Sequence, residues 1–298
     1  MKKVLRLRVF VGIAVLCVII FTLPFFFKTT YKSFLGAQAN SANILNTEPV
    51  FVATHVETPS AVKGVYMTAC VASTPSWRNS MKKMIEDTEL NSVVIDIKDY
   101  SGTISFIDPT LQTESAGGCR VKDMRDFIAE LHKSNIYTIG RITVFQDPYY
   151  SKIHPELAVK SKATGGVWKD HKGLSFIDVG AKPYWDFIVD LSKKSYALGF
   201  DELNFDYIRY PSDGNMQDTD YTWTVGSSTK AEMVKSFFSY LHEALKDTGV
   251  KISADLFGMT TTATDDLGIG QILEDTLPYF DFVDPMVYPS HYPSTWSG

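Results

Sequence analysis

Six short runs rich in β-branched and aromatic residues, each separated from the next by an amphipathic stretch, constrain this chain more than any other feature. The runs are 63–68, 92–98, 136–144, 202–207, 251–257 and 281–288. Between them, apolar residues recur at helical spacing: Val121, Met124, Phe127, Ile128 and Leu131; Tyr184, Phe187, Ile188 and Leu191; Val234, Phe237, Leu241 and Leu245. The last of these helices is bounded by Thr229 with Glu232, a capping box, and by Gly249. Strand and helix in regular alternation predict a parallel sheet built from βα units. No Gly-rich phosphate loop follows the first run, which favours a barrel over an open doubly wound sheet. An eight-stranded barrel takes roughly 250 residues. The stretch from Val62 to Gly298 carries long loops at 101–120, 145–181 and 209–228 and stops soon after the sixth run. The expected fold is therefore an α/β, (β/α)8 TIM-type barrel truncated after its sixth strand.

Ahead of these units lies an almost purely apolar run, 9–27, preceded by Lys2, Lys3, Arg6 and Arg8, long enough to cross a membrane as a helix. Two readings stand: a signal peptide cut after Ala37-Gln38-Ala39, or an uncleaved anchor with its N-terminus in the cytoplasm. The length of the run favours the anchor, and both readings place the rest outside the cytoplasm. Residues 29–61, rich in Ser, Thr, Ala and Asn, read as a linker, giving segments 1–28, 29–61 and 62–298. The net charge is −5 although Lys2, Lys3, Arg6 and Arg8 contribute +4 at the very start, so the remainder is more acidic still and unsuited to nucleic acid. Cys17 falls in the apolar run; Cys70 and Cys119 form either a disulfide or two free thiols.

Side chains alternate across a strand, so the apolar parity of each run faces the helices and the other parity faces the barrel axis. This turns Val94, Asp96 and Lys98 inward in the second run, Asn204 and Asp206 in the fourth, Ser253 and Asp255 in the fifth, and Asp284, Met286 and Tyr288 in the sixth. Leu203, Phe205 and Tyr207 take the outward parity. Asp96, Asp206 and Asp255 each lie near the C-terminal edge, where barrel enzymes place their chemistry. Converging carboxylates are costly unless they do acid/base work or are neutralised, here by Lys98, Arg141 and Arg209 in a structural ion network. Asp201 and Asp281, at the opposite ends of their strands, read as capping residues. The six histidines are isolated, without a His-x-His pair, and no Gly-x-Ser-x-Gly elbow is present. Neither a metal site nor any other cofactor is expected.

Several of these stretches resemble a family of glycoside hydrolase-type barrels first described as a domain of unknown function. The resemblance rests on Val94 to Asp99 with Gly102; Arg141 with Phe145, Asp147 and Pro148; and Gly199 to Glu202 running into Phe205 to Pro211. It continues in Asp255 to Gly258 with Ile269, Gly270 and Gln271, and in Asp284 to Tyr292. It implies a glycosidase acting on an extracellular or cell-surface polysaccharide through paired carboxylates. Asp206 is the expected nucleophile or base, Asp255 the acid and Asp96 a reserve, with Lys98, Arg141, Arg209, Tyr288 and His291 binding substrate. Arg209, close in sequence, is the expected ionic partner of Asp206. A chitinase-like alignment would set Ile208 where the catalytic Glu belongs, which disfavours substrate-assisted chemistry. A non-catalytic glycan-binding surface protein is the alternative.

Overall fold

The computed structural model describes residues 51–224 and 228–288. The apolar run 9–27 and His291 lie outside the described residues, among which no helix is long and apolar enough to cross a membrane.

Six strands form one sheet: β1 (Gly64–Met67), β2 (Ser92–Lys98), β3 (Tyr137–Thr143), β4 (Glu202–Asp206), β5 (Lys251–Phe257) and β6 (Phe282–Met286). Each pairs in parallel with its successor, so the sheet order follows the chain order. That order is the progression of a barrel wall, since a doubly wound sheet reverses direction at a switch point. The helices are α1 (Ala69–Ser73), α2 (Pro75–Glu86), α3 (Met124–Lys133), α4 (Pro148–Ile153), α5 (Lys182–Leu198), α6 (Lys230–Leu245) and α7 (Leu273–Thr276). The capping box at Thr229 and Glu232 starts α6, and Gly199 ends α5 in the left-handed region at φ 119°.

The core lies between sheet and helices. Ile95, Ile97, Leu203, Phe205 and Leu256 from the outward parity are buried with Phe127, Leu131, Tyr184, Ile188, Phe237 and Leu241. At Gly140 a β-carbon would stand 2.1 Å from Ile97 Cδ1, so a side chain at this position of β3 would force Ile97 to shift.

The N-terminal edge of the sheet is closed by one repeated device. A residue just before one strand accepts the N–H at the start of its neighbour: Asn91 from Lys63 (2.8 Å), Asp201 from Thr138 (2.7 Å) and Asp281 from Ile252 (3.0 Å). Asp201 and Asp281 thus fill the capping role read from their positions. Asp201 also bonds His132 (3.0 Å) and the Val56 N–H (2.7 Å), while His55 stacks on Tyr196. The described end of the expected linker therefore lies against the barrel wall.

At the other edge, Cys70 in α1 and Cys119 in the loop after β2 form a disulfide with Cα atoms 4.9 Å apart. The loops after β3 and β4 are tied by an antiparallel ladder of Lys160–Ser161 with Thr219–Asp220, which strand periodicity did not signal. Asp178 joins them again, accepting the Gly180 N–H (3.0 Å), the Trp223 N–H (2.8 Å) and the Thr224 hydroxyl (3.0 Å).

Lys98 departs from its expected place. The β2–β3 register shifts between Asp96 and Lys98, and this bulge breaks the alternation that turned Lys98 inward. Its ammonium is instead fully buried, 2.8 Å from Asp147 and donating to the Thr143 carbonyl at 2.7 Å, beside the Tyr184 ring. Lys98 is a core ion pair and not a substrate ligand.

Candidate active site

The concave face of the sheet is polar because its inward parity is polar. Register sets Asp96, Arg141, Asn204 and Ser253 side by side across β2 to β5. One layer nearer the C-terminal edge come Asp206, Asp255 and Asp284, the last two directly paired. Arg141, Asn204, Asp206, Asp255 and Asp284 border a cavity of about 1160 Å3 that runs along the concave face from Thr58 and Glu202 to Tyr288.

Arg141 organises the cluster. Its Nη1 donates to Asp96 Oδ1 at 2.9 Å, its Nη2 donates to Asp206 Oδ2, and its Nε lies 4.0 Å from Asp255 Oδ2. Burial alone would lower the arginine's pKa, but Asp206 and Asp96 outweigh it and hold the group above its ordinary value. The three carboxylates singled out from parity therefore do converge, on one guanidinium.

Their environments differ. Asp206 closes β4 with both oxygens occupied, Oδ2 by Arg141 and Oδ1 by the Tyr207 N–H at 2.6 Å. Its ionic partner is Arg141, and the expected partner Arg209 points elsewhere. The Asp255 carboxyl is pushed up to about 7, by burial first and by the charge of Asp206 next, against the opposing Asn204 hydrogen bond. Asn204 Nδ2 reaches Ser253 Oγ (3.1 Å), Asp255 Oδ1 (3.0 Å) and Asp284 Oδ2 (3.3 Å), acting as the neutral spacer that holds two acids apart. Asp284 is also raised by burial. Asp96 is raised by burial too, although the hydroxyl of Tyr66 and the charge of Arg141 pull it back. Deeper in the cavity Glu202, again raised by burial, accepts from Tyr137 (3.0 Å).

Tyr207 breaks the outward parity assigned to it. Its φ of 53° lies in the left-handed region, rare for an aromatic residue and a mark of local strain at functional positions. The turn brings the Tyr207 N–H back onto Asp206 and lifts its ring to the C-terminal rim. There Arg209 stacks between the Tyr207 and Phe257 rings, 5.0 and 4.7 Å from their centroids, and borders a second cavity of about 430 Å3. Tyr288 stands half-exposed at the mouth of the first cavity. Among the described residues no group of three or more His, Cys, Asp or Glu is arranged to hold a metal ion.

Two members of the site escaped the sequence reading. Tyr66 sits in the first strand, whose parity carried no acidic residue to flag it. Asp284 was turned inward by parity, but its nearness to Asp255 follows from the β5–β6 register, which a single sequence does not display.

A barrel-type wall with acidic side chains gathered at the C-terminal ends of its strands defines a protein of the glycosidase-barrel class. Residues 64–298 match the family described as "Putative glycosyl hydrolase domain", and the chain belongs to that family. A crystal structure of a hypothetical protein from Ruminiclostridium thermocellum ATCC 27405 is 30% identical, with a TM-score of 0.58 over 69% of this chain and 98% of that one. The chitobiase of Flavobacterium johnsoniae (12% identity, TM-score 0.52) and an exo-β-N-acetylglucosaminidase from Vibrio harveyi (13%, 0.53) share the fold. They match over 75% and 76% of this chain, which spans only 38% and 41% of their own lengths. No curated protein matches the chain.

Proposed function

We propose that the protein hydrolyses glycosidic bonds in an extracellular or cell-surface polysaccharide, with Asp255 as the acid and Asp206 as the nucleophile or base, on a (β/α)8-type barrel. One observation carries the reading: a carboxyl that keeps its proton up to about pH 7 stands beside a salt-bridged aspartate, both at one guanidinium. Glycoside hydrolysis needs that division of labour. Asp255 would give its proton to the departing glycosidic oxygen while Asp206 stabilises the oxocarbenium-like charge at the anomeric carbon or activates a water there. Arg141 sets the spacing of both acids, and Asp96, held by Tyr66 and Arg141, positions that arginine. Tyr288 stands at the cavity mouth, and it is assigned to substrate together with His291, which lies outside the described residues.

An exported location is supported by the Cys70–Cys119 disulfide, which persists in oxidising compartments. It is supported again by the apolar run 9–27, assigned here as a membrane anchor or cleaved signal.

The test is Asp206→Asn, with release of reducing ends from polysaccharides and thermal stability measured on the same samples. Asn keeps the volume and loses the charge, so turnover should disappear while folding and glycan binding persist. If Asp206 is only a structural counter-ion of Arg141, stability should drop by about 3 kcal/mol and turnover should fall only with the folded fraction. Wild-type protein that binds glycan without cleaving it would favour the non-catalytic reading.

A further inference from the structure

The second cavity lies outside the Arg141 cluster, and its chemistry differs. It is bordered by Tyr100, Tyr207, Arg209 and Lys172 and by two acids, Asp170 and Asp213, from the loops that follow β2, β3 and β4. At about 430 Å3 it falls within the usual range of small-molecule sites, roughly 300–1000 Å3. Arg209 is only 8% exposed, yet no carboxylate among the described residues forms an ion pair with it. Its Nη1 donates to the Tyr210 carbonyl (2.9 Å) and to Ser212 Oγ (3.2 Å), which leaves Nε and Nη2 without a protein acceptor among the described residues.

Three of the five N–H donors of this guanidinium, one on Nε and two on Nη2, are thus left open between two aromatic rings for the acceptors of a ligand. The nearby acids do not supply those acceptors. Asp206 is taken by Arg141. Asp170 directs Oδ1 to the Lys172 and Leu174 N–H groups, both at 2.8 Å. Asp213 is half-exposed and faces His171 at 3.9 Å. Nε and Nη2 form the edge of the guanidinium that matches a carboxylate with two parallel hydrogen bonds, and the Tyr207 ring offers a surface for a sugar face next to it.

We propose that this pocket binds the carboxylate of a uronic acid residue, so that the glycan cleaved at Asp206 and Asp255 is an acidic one. The inference rests on the glycan reading above. The pocket and the carboxylate pair adjoin through consecutive residues, Asp206 bordering the first cavity and Tyr207 the second. A polysaccharide with uronate at one position would be held by Arg209 while its neighbouring linkage lies at the acids.

The test is equilibrium binding by calorimetry with trigalacturonate and a glucuronate trimer. Their methyl esters and a sulfated neutral trisaccharide serve as comparisons, and the proteins are wild type, Arg209→Lys and Asp206→Asn. At least one free acid should bind wild type, its methyl ester at least tenfold more weakly. Arg209→Lys, which keeps the charge but loses the fork, should weaken the acid tenfold or more, and Asp206→Asn should still bind it while releasing no reducing ends. Equal binding of acid and ester, equally tight binding of the sulfated sugar, no binding of either uronide, or a folded Arg209→Lys protein with unchanged affinity would each overturn the assignment. If Arg209→Lys does not fold, the acid and ester comparison in wild type decides. Arg209-dependent uronide binding without turnover would sink the hydrolase reading alone. Asp206-dependent turnover of neutral glycans with no uronide binding would sink this one alone.

Discussion

Replacing Asp255 with Asn should stabilise the protein at neutral and alkaline pH and leave it nearly unchanged in acid. Asp255 departs from an ordinary value of 3.8 and titrates at about 7 in the fold, chiefly because burial penalises its charge. Between those two values the folded protein binds more protons than the unfolded chain, so stability falls as pH rises through the window and levels off above it. At 1.36 kcal/mol per unit the loss amounts to about 4 kcal/mol. Asn is neutral throughout, and its amide oxygen still accepts from Asn204, which lies 3.0 Å from Asp255 Oδ1. Thermal melts of both proteins from pH 4 to pH 8 should coincide at the acid end and separate by on the order of 10 °C at pH 8, with the variant higher. A melting difference that does not change with pH would refute the claim that Asp255 is held protonated by its surroundings. A variant less stable than wild type at pH 8 would refute it more strongly, because it would mean that the charge itself supports the fold.

Reducing the Cys70–Cys119 bridge, or replacing both residues with Ala, should cost about 4 kcal/mol for a loop of 49 residues, read as a lower denaturation midpoint. Lys98→Met should destabilise by about 3–5 kcal/mol, because it leaves Asp147 buried without its partner, while KM of the remaining folded protein stays unchanged. A raised KM in folded Lys98→Met protein would return Lys98 to the substrate. Arg141→Met should be harsher than either, since Asp96, Asp206 and Asp255 would lose their shared cation, and its loss of stability should shrink as pH is lowered.

Regular elements were legible in the sequence because their periodicity is local. β2 and β5 have the bounds drawn from their β-branched runs, and inward parity correctly turned Asn204, Asp206 and Asp255 to the cavity, with Asp96 bonded to Arg141 and Ser253 to Asn204 beside it. Three features that a single strand does not encode were out of reach. The bulge after Asp96 belongs to the β2–β3 pairing, and it removed Lys98 from the site. The left-handed φ of Tyr207 just past the end of β4 moved that ring from the expected outer face to the rim. The choice of Arg141 over Arg209 as the partner of Asp206 follows from register across three strands, whereas proximity in sequence pointed to Arg209. In each case the residue is plain in the sequence and its surroundings in the fold are not.

If Asp255 serves as the acid beside Asp206, the pH dependence of kcat/KM on one glycan substrate must show it. An acid that titrates at about 7 must lose its proton as pH rises, so the rate should fall tenfold per unit above about pH 7. Asp255→Asn should abolish that limb together with most of the activity. A wild-type rate that stays level from pH 6 to pH 9, or an Asp255→Asn enzyme that keeps both normal turnover and the same alkaline limb, would contradict the account.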